Sequence, residues 1–511
     1  MTAVITSTSG ENESESKAST LLLNAADDVL IALRPIARGE VLRDGLIAQD
    51  DIPAGHKVAR RPLASGEEIR RYNSLIGAAS ADIAAGAHIH VQNLEMLDFA
   101  RDYSFCADVR PTPTAGEKRT FQGIIREDGR IATRNYIGVI SSVNCSATVA
   151  RMVADHFRGR LDAYPNIDGV VPLTHKRGCG LDTKVEGVEA LRRCLAGYAA
   201  HPNFAEVIII GLGCEVGDLT GVLGGAQGTA LVIQQSGGSA ATVRTGIERV
   251  EAALERANNV RRVPVPVSEL KVALQCGGSD GYSGVSVNAA LGVAVDLLVA
   301  QGATAILSET TECYGAEHVL TRRAISKEVG EKLVDRVKWW EEFASRNGME
   351  INNNPSPGNK AGGLTTIIEK SLGSIAKGGT SNLMAVYDYA ELVTEHGLVF
   401  MDAPAFDPVG ATAQVAGGAN VMCFTTGRGS AFGCKPTPSL KLASNSELFR
   451  RMPDDMDINC GTILDGDETV EAAGARIFED IIQTASGKRT CSERLGYGDE
   501  EFAPWDMGVM L

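Results

Sequence analysis

From Leu21 to about Leu97 apolar and polar residues alternate in short runs, as in DDVLIALRPI and GLIAQDDIPAGHKVARRPL. Gly, Pro or Asp interrupts the pattern at roughly ten-residue intervals, which predicts a small β-rich module. The segment RDYSFCADVRPTPTAGEKRT has little periodicity and reads as a linker. After Phe121 the pattern changes. YIGVISSV runs into NCSATVARMVADHF, GVVPLT into HKRGCG, and EVIIIGLG into CEVGD. Near-continuous apolar strands, each followed by a loop or helix, predict a parallel sheet covered by helices. A second set starts near Lys271 with KVALQC, TAILSE, LVFMDAP and NVMCFTTG. One clear helix separates these strands, from about Ser326 to Ser345, with Val329, Leu333, Val337, Trp340 and Phe343 on one face. Two prolines in VRRVPVPVSE place a boundary near residues 260–268. The expected fold class is therefore α/β. Its order is a tail at 1–20, the β-rich module at 21–97, a linker at 98–120, one α/β half at 121–265 and a second at 266–511.

A chain of 511 residues is too long for one core, in keeping with that division. Hydrophobic residues at 44% and charged residues at 22% are ordinary for a globular protein. The 49 basic and 64 acidic side chains leave a formal charge of −15, which repels phosphate backbones. Nucleic acid is thus not an expected partner, although a buried site can still be locally positive. No apolar run reaches the roughly 20 residues of a membrane span. The opening MTAVITSTSGENESESKAST lacks the basic and apolar regions of a secretory signal, so a cytoplasmic location is expected. Eleven cysteines without a signal fit a reducing compartment.

Ligands of open parallel sheets bind beyond the carboxyl ends of the strands. The polar residues there are Asn144 and Cys145, His175 and Cys179, and Cys214 and Glu215. In the second set they are Cys276 and Asp280, Glu309 and Glu312, and the Gly-rich TTGRGSAFG around Arg428. Thiolates with imidazole suit iron or zinc, and carboxylates suit harder ions. A single cysteine after a strand is by default a small buried hydrophobe, but four at matching positions make ligation a competing reading. No CxxC pair indicates a zinc ribbon. GLGCEVG has the spacing GxGxxxG and is not a dinucleotide fingerprint. His156 falls within a helix, and His201 and His396 read as surface residues. In NPSPGNKAGGLTTIIEKSLG, Lys360 sits among prolines and glycines, where it can clamp a carboxylate, act as a base, or cap a helix. Glu369 and Lys370 on the following helix read as salt-bridged surface residues.

THKRGCG, IGLGCE, QCGGSDGYSG, ILSETTECYGAEH, NPSPGNKAGG, FTTGRGSAFG and DMDINCG together resemble the altronate/galactarate dehydratase family. The segments IPAGHKVA, RYNSLIG and HIHVQN resemble the SAF module fused to it. The resemblance spans roughly residues 25–505. It implies dehydration of a sugar acid to a 2-keto-3-deoxy acid with a divalent ion, ferrous first and manganous second. An iron–sulfur cluster ranks lower, because no compact cysteine motif is present. By the same resemblance His175, Cys179, Cys214, Glu215, Cys276, Asp280, Glu309, Lys360 and Arg428 line the site. Chemistry then assigns His175, Lys360 and Glu309 to catalysis. Arg428, Asn354, Asp280, His56 and His90 are assigned to the substrate, and Cys145, Cys179, Cys214, Glu215 and Cys276 to the metal. A homodimer with a small-molecule substrate is expected. DINCGTILDGDETVEAAG is similar to the galactarate branch and HIHVQN to the altronate and sulfo-lyase branches, so the substrate stays open. The alternatives are a carbon–sulfur lyase of the sulfolactate type, whose SAF part is a separate subunit, and an inactive sugar-acid-binding protein.

Overall fold

The computed structural model describes residues 18–97, 101, 103–179, 186–215 and 230–505. The N-terminal module is antiparallel. Thr20–Leu21, Val29–Ala32, Lys57–Ala59 and His88–Ile89 form one sheet, and Glu68–Arg71, Ser74–Ala79 and Leu94–Glu95 a second. Val29, Ile31, Ile69, Ile76 and Ile89 close its core against Tyr282 of the main body. The Tyr282 hydroxyl donates to the Ala32 carbonyl at 2.8 Å, so the module is seated on the body by shared packing. The segment read as a linker lies against that body too: Tyr103 donates to Glu317 at 2.7 Å, and Cys106 N to the Thr321 carbonyl at 3.2 Å. Thr120–Ile125 pairs antiparallel with Val263–Pro266, tying the two connecting segments together.

The smaller parallel sheet has the order Gly169–Leu173, Tyr136–Ser141, Phe204–Gly211, Ala230–Val232. Helices Asn144–Asp155 and Ser239–Ala257 pack on one face, and Glu186–Ala199 on the other. His201, read as a surface residue, is buried at the base of this sheet, with its Nε2 at 2.9 Å from the Ala419 carbonyl.

The larger sheet is wholly parallel, in the order Leu383–Tyr387, Gly397–Met401, Thr304–Ser308, Lys271–Cys276, Val421–Thr426, Ser439–Ala443, Ile458–Asn459. The predicted helix spans Lys327–Arg346, and the Ser326 side chain caps it by accepting from Val329 N. Val287–Ala300 and Val470–Ala485 cover one face, and Asp407–Ala416 the other. The sequence VNAALGVAVDLLVA is apolar nearly all round, so it lacks the polar stripe by which a helix announces its period. In chain order the sheet grows from Lys271–Cys276 toward Thr304–Ser308 on one side, then restarts at Val421–Thr426 on the other. That reversal opens a crevice beyond Cys276 and Thr426.

Candidate active site

Cys276 ends the central strand and points into the crevice. Gly277 follows it, and any Cβ there would lie 2.2 Å from Asp407 Oδ2, so only glycine lets Asp407 approach. Glu309 follows Thr304–Ser308 with φ +74°, a left-handed conformation uncommon for a non-glycine residue. The short turn Thr310–Glu312 brings Glu312 beside it. Cys276 Sγ lies 3.8 Å from Glu309 Oε2 and 3.4 Å from Glu312 Oε2. All three residues are buried, and one ligand atom from each falls within 4.8 Å of the others. Two lysines from the segment after Thr366 balance this charge. Lys377 Nζ donates to Cys276 Sγ at 2.8 Å and lies 3.7 Å from Glu309 Oε2. Lys370 Nζ donates to Glu312 Oε1 at 2.6 Å and to Asn354 Oδ1 at 2.8 Å. Asn354 Nδ2 in turn donates to Glu312 Oε1 at 3.1 Å.

The two glutamates differ in charge state. Burial and the neighbouring Glu312 carboxylate push Glu309 well above its ordinary pKa. Burial opposes ionisation of Glu312 as well, but Lys370 and Lys377 outweigh it and hold Glu312 below its ordinary value. The amides behind Glu309 agree. Gln414 Nε2 donates to the Leu274 and Ile306 carbonyls at 3.3 and 2.7 Å, so its oxygen must accept, and Gln275 Nε2 donates to it at 2.9 Å. Gln275 Oε1 then faces Glu309, a contact satisfied by a protonated carboxyl. Turning the Gln275 amide over would bring its nitrogen to 3.2 and 3.3 Å from the Glu309 oxygens, but would set its oxygen against Gln414 Oε1, which has no proton to give. Burial and Glu312 also raise Asp407, to about 6. Burial pushes the Cys276 thiol up to about 12 against the pull of Lys377.

One sulfur and two carboxylates make a donor set for a divalent ion of intermediate hardness. The Lys377 ammonium stands between Cys276 and Glu309, beside the position such an ion would take. The residues fit such an ion once that ammonium and the Glu309 proton give way.

Residues 18–97 match the altronate/galactarate dehydratase SAF domain. Residues 123–258 match the D-galactarate dehydratase/altronate hydrolase second domain, and residues 267–510 the D-galactarate/altronate dehydratase C-terminal domain. The chain is 34% identical to the altronate dehydratase of Bacillus subtilis (strain 168) over 96% of its own length and 99% of that protein. It is 39% identical to the galactarate dehydratase (L-threo-forming) of Escherichia coli (strain K12), over 89% and 90% respectively. To the altronate dehydratase of the same organism it is 33% identical over 96% and 99%. The chain belongs to the altronate/galactarate dehydratase family. It is a hydro-lyase.

Within this family frame the expected site residues fall into four places. Cys276, Glu309 and Glu312 form the buried group, with half-buried Asn354 bonded to Glu312. Asp280 lies at the wall of the adjoining crevice and accepts from Ser283, Ser444 and Asn445 at 2.8, 3.0 and 3.1 Å. Arg428 is exposed at the rim; Gly362 approaches both it and Asp280 closely. The expected metal set divides: Cys145, Cys179, Cys214 and Glu215 stand with His175 at the end of the smaller sheet, while Cys276 belongs to the larger one. Cys145 is exposed in the first turn of Asn144–Asp155. Partial desolvation and the adjacent Cys179 thiol raise the pKa of Cys214. Glu215 accepts from Ser142 Oγ, Leu212 N and Gly213 N at 2.8, 2.7 and 2.7 Å, which closes its loop. His175 is buried.

His56 and His90 reach the loop that carries Lys360. His56 Nε2 lies 3.2 Å from the Ala361 carbonyl, and His90 Nε2 lies 2.8 Å from that of Lys360. The Lys360 ammonium makes no hydrogen bond among the described residues. Lys370 and Glu369, read as salt-bridged surface residues, do form ion pairs, with Glu312 and with Lys57 and Arg71 respectively, but both are buried. Lys377 and Asp407 were missed. Lys370 and Lys377 are seven residues apart, hence near one helical face, inside the apolar stretch IIEKSLGSIAKGG. A lysine pair buried in such a stretch is the signal that finds them.

Proposed function

We propose that this protein dehydrates a sugar acid of the altronate or galactarate type to its 2-keto-3-deoxy acid, with a divalent ion, ferrous by preference, as cofactor. The observation that carries this reading is the Cys276–Glu309–Glu312 group flanked by Lys370 and Lys377 at the reversal point of the larger sheet. Such a substrate bears a carboxylate, an α-hydroxyl and a β-hydroxyl. Its weakly acidic α-proton leaves only if the resulting enediolate is stabilised. Cys276, Glu309 and Glu312 would hold the ion, which when bound supplies Lewis-acid stabilisation of that charge.

The chain's own groups supply the rest. Lys370 and Lys377 attract the carboxylate and oppose the charge that develops on it. Asp407, which reaches the crevice over Gly277, takes the α-proton. The C–H electron pair first delocalises into the carboxylate as the enediolate; its collapse forms the α,β double bond and expels the β-hydroxyl, which the Asp407 carboxyl protonates to water. The enol then tautomerises to the 2-keto acid. Lys360 and Arg428, either side of Gly362, are assigned to the far end of the substrate at the rim. His175 and the thiols of the smaller sheet are a second place for a soft metal.

The test is anaerobic incubation of the ferrous-loaded protein with altronate, galactarate and sulfolactate. Release of a 2-keto acid from one of the sugar acids is expected. Sulfite from sulfolactate would make it a carbon–sulfur lyase instead, and binding without turnover a sugar-acid-binding protein.

A further inference from the structure

Tyr72 occupies a conformation that its residue type does not favour. It and Asn73 form the two-residue turn between Glu68–Arg71 and Ser74–Ala79, with φ values of +61° and +57°. A two-residue turn of this kind favours Asn and Gly, which tolerate positive φ. Asn73 fits that rule, and its amide donates to Asp27 Oδ1 at 2.7 Å. Tyr72 does not. A bulky residue held at positive φ is a strained feature that persists only where its surroundings impose it.

The strained turn sends the phenol out of the N-terminal module into a narrow cavity of the main body. Tyr72 lines that cavity with Asp280, Asn288, Lys370 and Ser374. The last two connect it to the acid group, through Glu312 at 2.6 Å from Lys370 and Cys276 at 3.6 Å from Ser374. The ring is fixed by the buried Arg71 guanidinium, 4.6 Å from its centroid. Gly284 makes room for the hydroxyl, since a Cβ there would lie 2.6 Å from Tyr72 Oη. The hydroxyl hydrogen-bonds to none of the described residues. A second polar atom in the same cavity shares this condition: Asn288 donates its Nδ2 to the Gly373 carbonyl at 2.9 Å, while its buried Oδ1 has no partner among them.

We propose that Tyr72 is a substrate-binding residue supplied by the N-terminal module, and that with Asn288 it receives a hydroxyl of the polyhydroxy chain beyond the reacting carbons. A sugar hydroxyl is donor and acceptor at once. It accepts from the Tyr72 O–H and donates to Asn288 Oδ1, satisfying both unpartnered atoms. Burial pushes the Tyr72 phenol up to about 12, so it remains a neutral donor. The module is on this view part of the specificity pocket. This inference rests on the sugar-acid reading above.

The experiment compares wild type with Tyr72→Phe in the full ferrous-loaded enzyme. It reads KM and kcat for the active sugar acid, inhibition by glycerate, and the melting temperature. Glycerate keeps the carboxylate and both reacting hydroxyls but has no further chain. Loss of one neutral hydrogen bond should raise KM about three- to tenfold with little change in kcat. Glycerate inhibition and Tm should be unchanged, because the hydroxyl holds nothing in the protein itself. An unaltered KM, or an equal weakening of glycerate, overturns the proposal. If wild type releases no 2-keto acid from any sugar acid, the underlying reading falls, and this inference with it.

Discussion

Lys57 of the N-terminal module and Glu369 of the main body meet at 2.9 Å with neither side chain exposed to solvent. Glu369 also accepts from Arg71, likewise fully buried, and from Thr365 N and Oγ1 at 2.9 and 2.6 Å. Lys57 adds a bond to the Gly363 carbonyl at 2.7 Å, and Arg71 one to that of Gly281 at 2.6 Å. One carboxylate thus holds two cations of the module against the loops that wall the crevice.

Removing that carboxylate strands two buried charges, whereas removing Lys57 leaves the Arg71–Glu369 pair intact. Glu369→Gln should therefore destabilise the protein by about 3–5 kcal/mol, and Lys57→Met by clearly less. Urea unfolding of both variants checks the order; equal losses would mean that the three charges do not act as a unit. Burial opposes the Glu369 charge, but Lys57 and Arg71 prevail and lower its pKa to about 2. Its contribution to stability is full above its ordinary value near 4.5 and is lost as pH falls toward 2.

A milder acid should act first on the histidines. His56 Nδ1 and His88 Nε2 lie 3.0 Å apart. Because His56 Nε2 donates to Ala361, its Nδ1 accepts from His88, which requires a neutral His56 ring. Burial, then the neighbouring His90 and, further off, Lys57, lower both His56 and His88 to about 4; Asp50 and the Ala361 carbonyl pull the other way. Folded pKa values below the ordinary 6.5 mean that stability is intact above pH 6.5 and declines as pH falls toward 4. Tm should drop between pH 7 and pH 5, and His88→Gln should shrink that drop. A residual decline is expected from buried His201, which burial also lowers to about 4. An identical pH profile in the variant would refute the role of the pair.

Lys370 and Lys360 make a discriminating comparison. Lys370→Ala removes a buried ammonium from the charge-stabilising group and should lower kcat/KM by about 10²–10³. Lys360→Ala should act chiefly on KM, by about tenfold, as loss of a rim contact to an anion. The reverse ranking in steady-state kinetics would move the chemistry to the Lys360 loop.

Asp407→Asn retains size and loses the carboxylate, so kcat should fall on the order of 10²–10⁴ if it transfers the proton. Exchange of the substrate α-proton with deuterated solvent gives a second readout and should vanish with turnover. Continued exchange in the variant would assign the base elsewhere.

Metal dependence is checked by chelation. Exhaustive treatment should abolish turnover, and ferrous ion should restore it in wild type but not in Cys276→Ala. Full activity in metal-free protein would leave the ammonium groups as the sole stabilisers of the enediolate.

The strand ends were the readable part of the site. Cys276, Glu309 and Glu312 follow apolar runs directly, so a local pattern exposes them. Lys370 was misread because charged helix residues are usually solvated, and burial of this one depends on Glu312, 58 residues earlier in the chain. Asp407 resembles any acidic residue in a helix's first turn, and only the close approach to Gly277 distinguishes it.

The sequence by itself determined the α/β class, the parallel character of both sheets and the family, since these depend on local periodicity and on motifs in a fixed order. Tertiary structure alone decided which strand ends share a crevice, separating Cys276 from Cys145, Cys179 and Cys214 and joining it to two lysines. It also decided that Tyr72, Lys57 and Arg71 of the first region meet the walls of that crevice. Such contacts bridge 210 to 312 residues along the chain, and the burial that turns a surface-type residue into a functional one exists only once both sides are packed together.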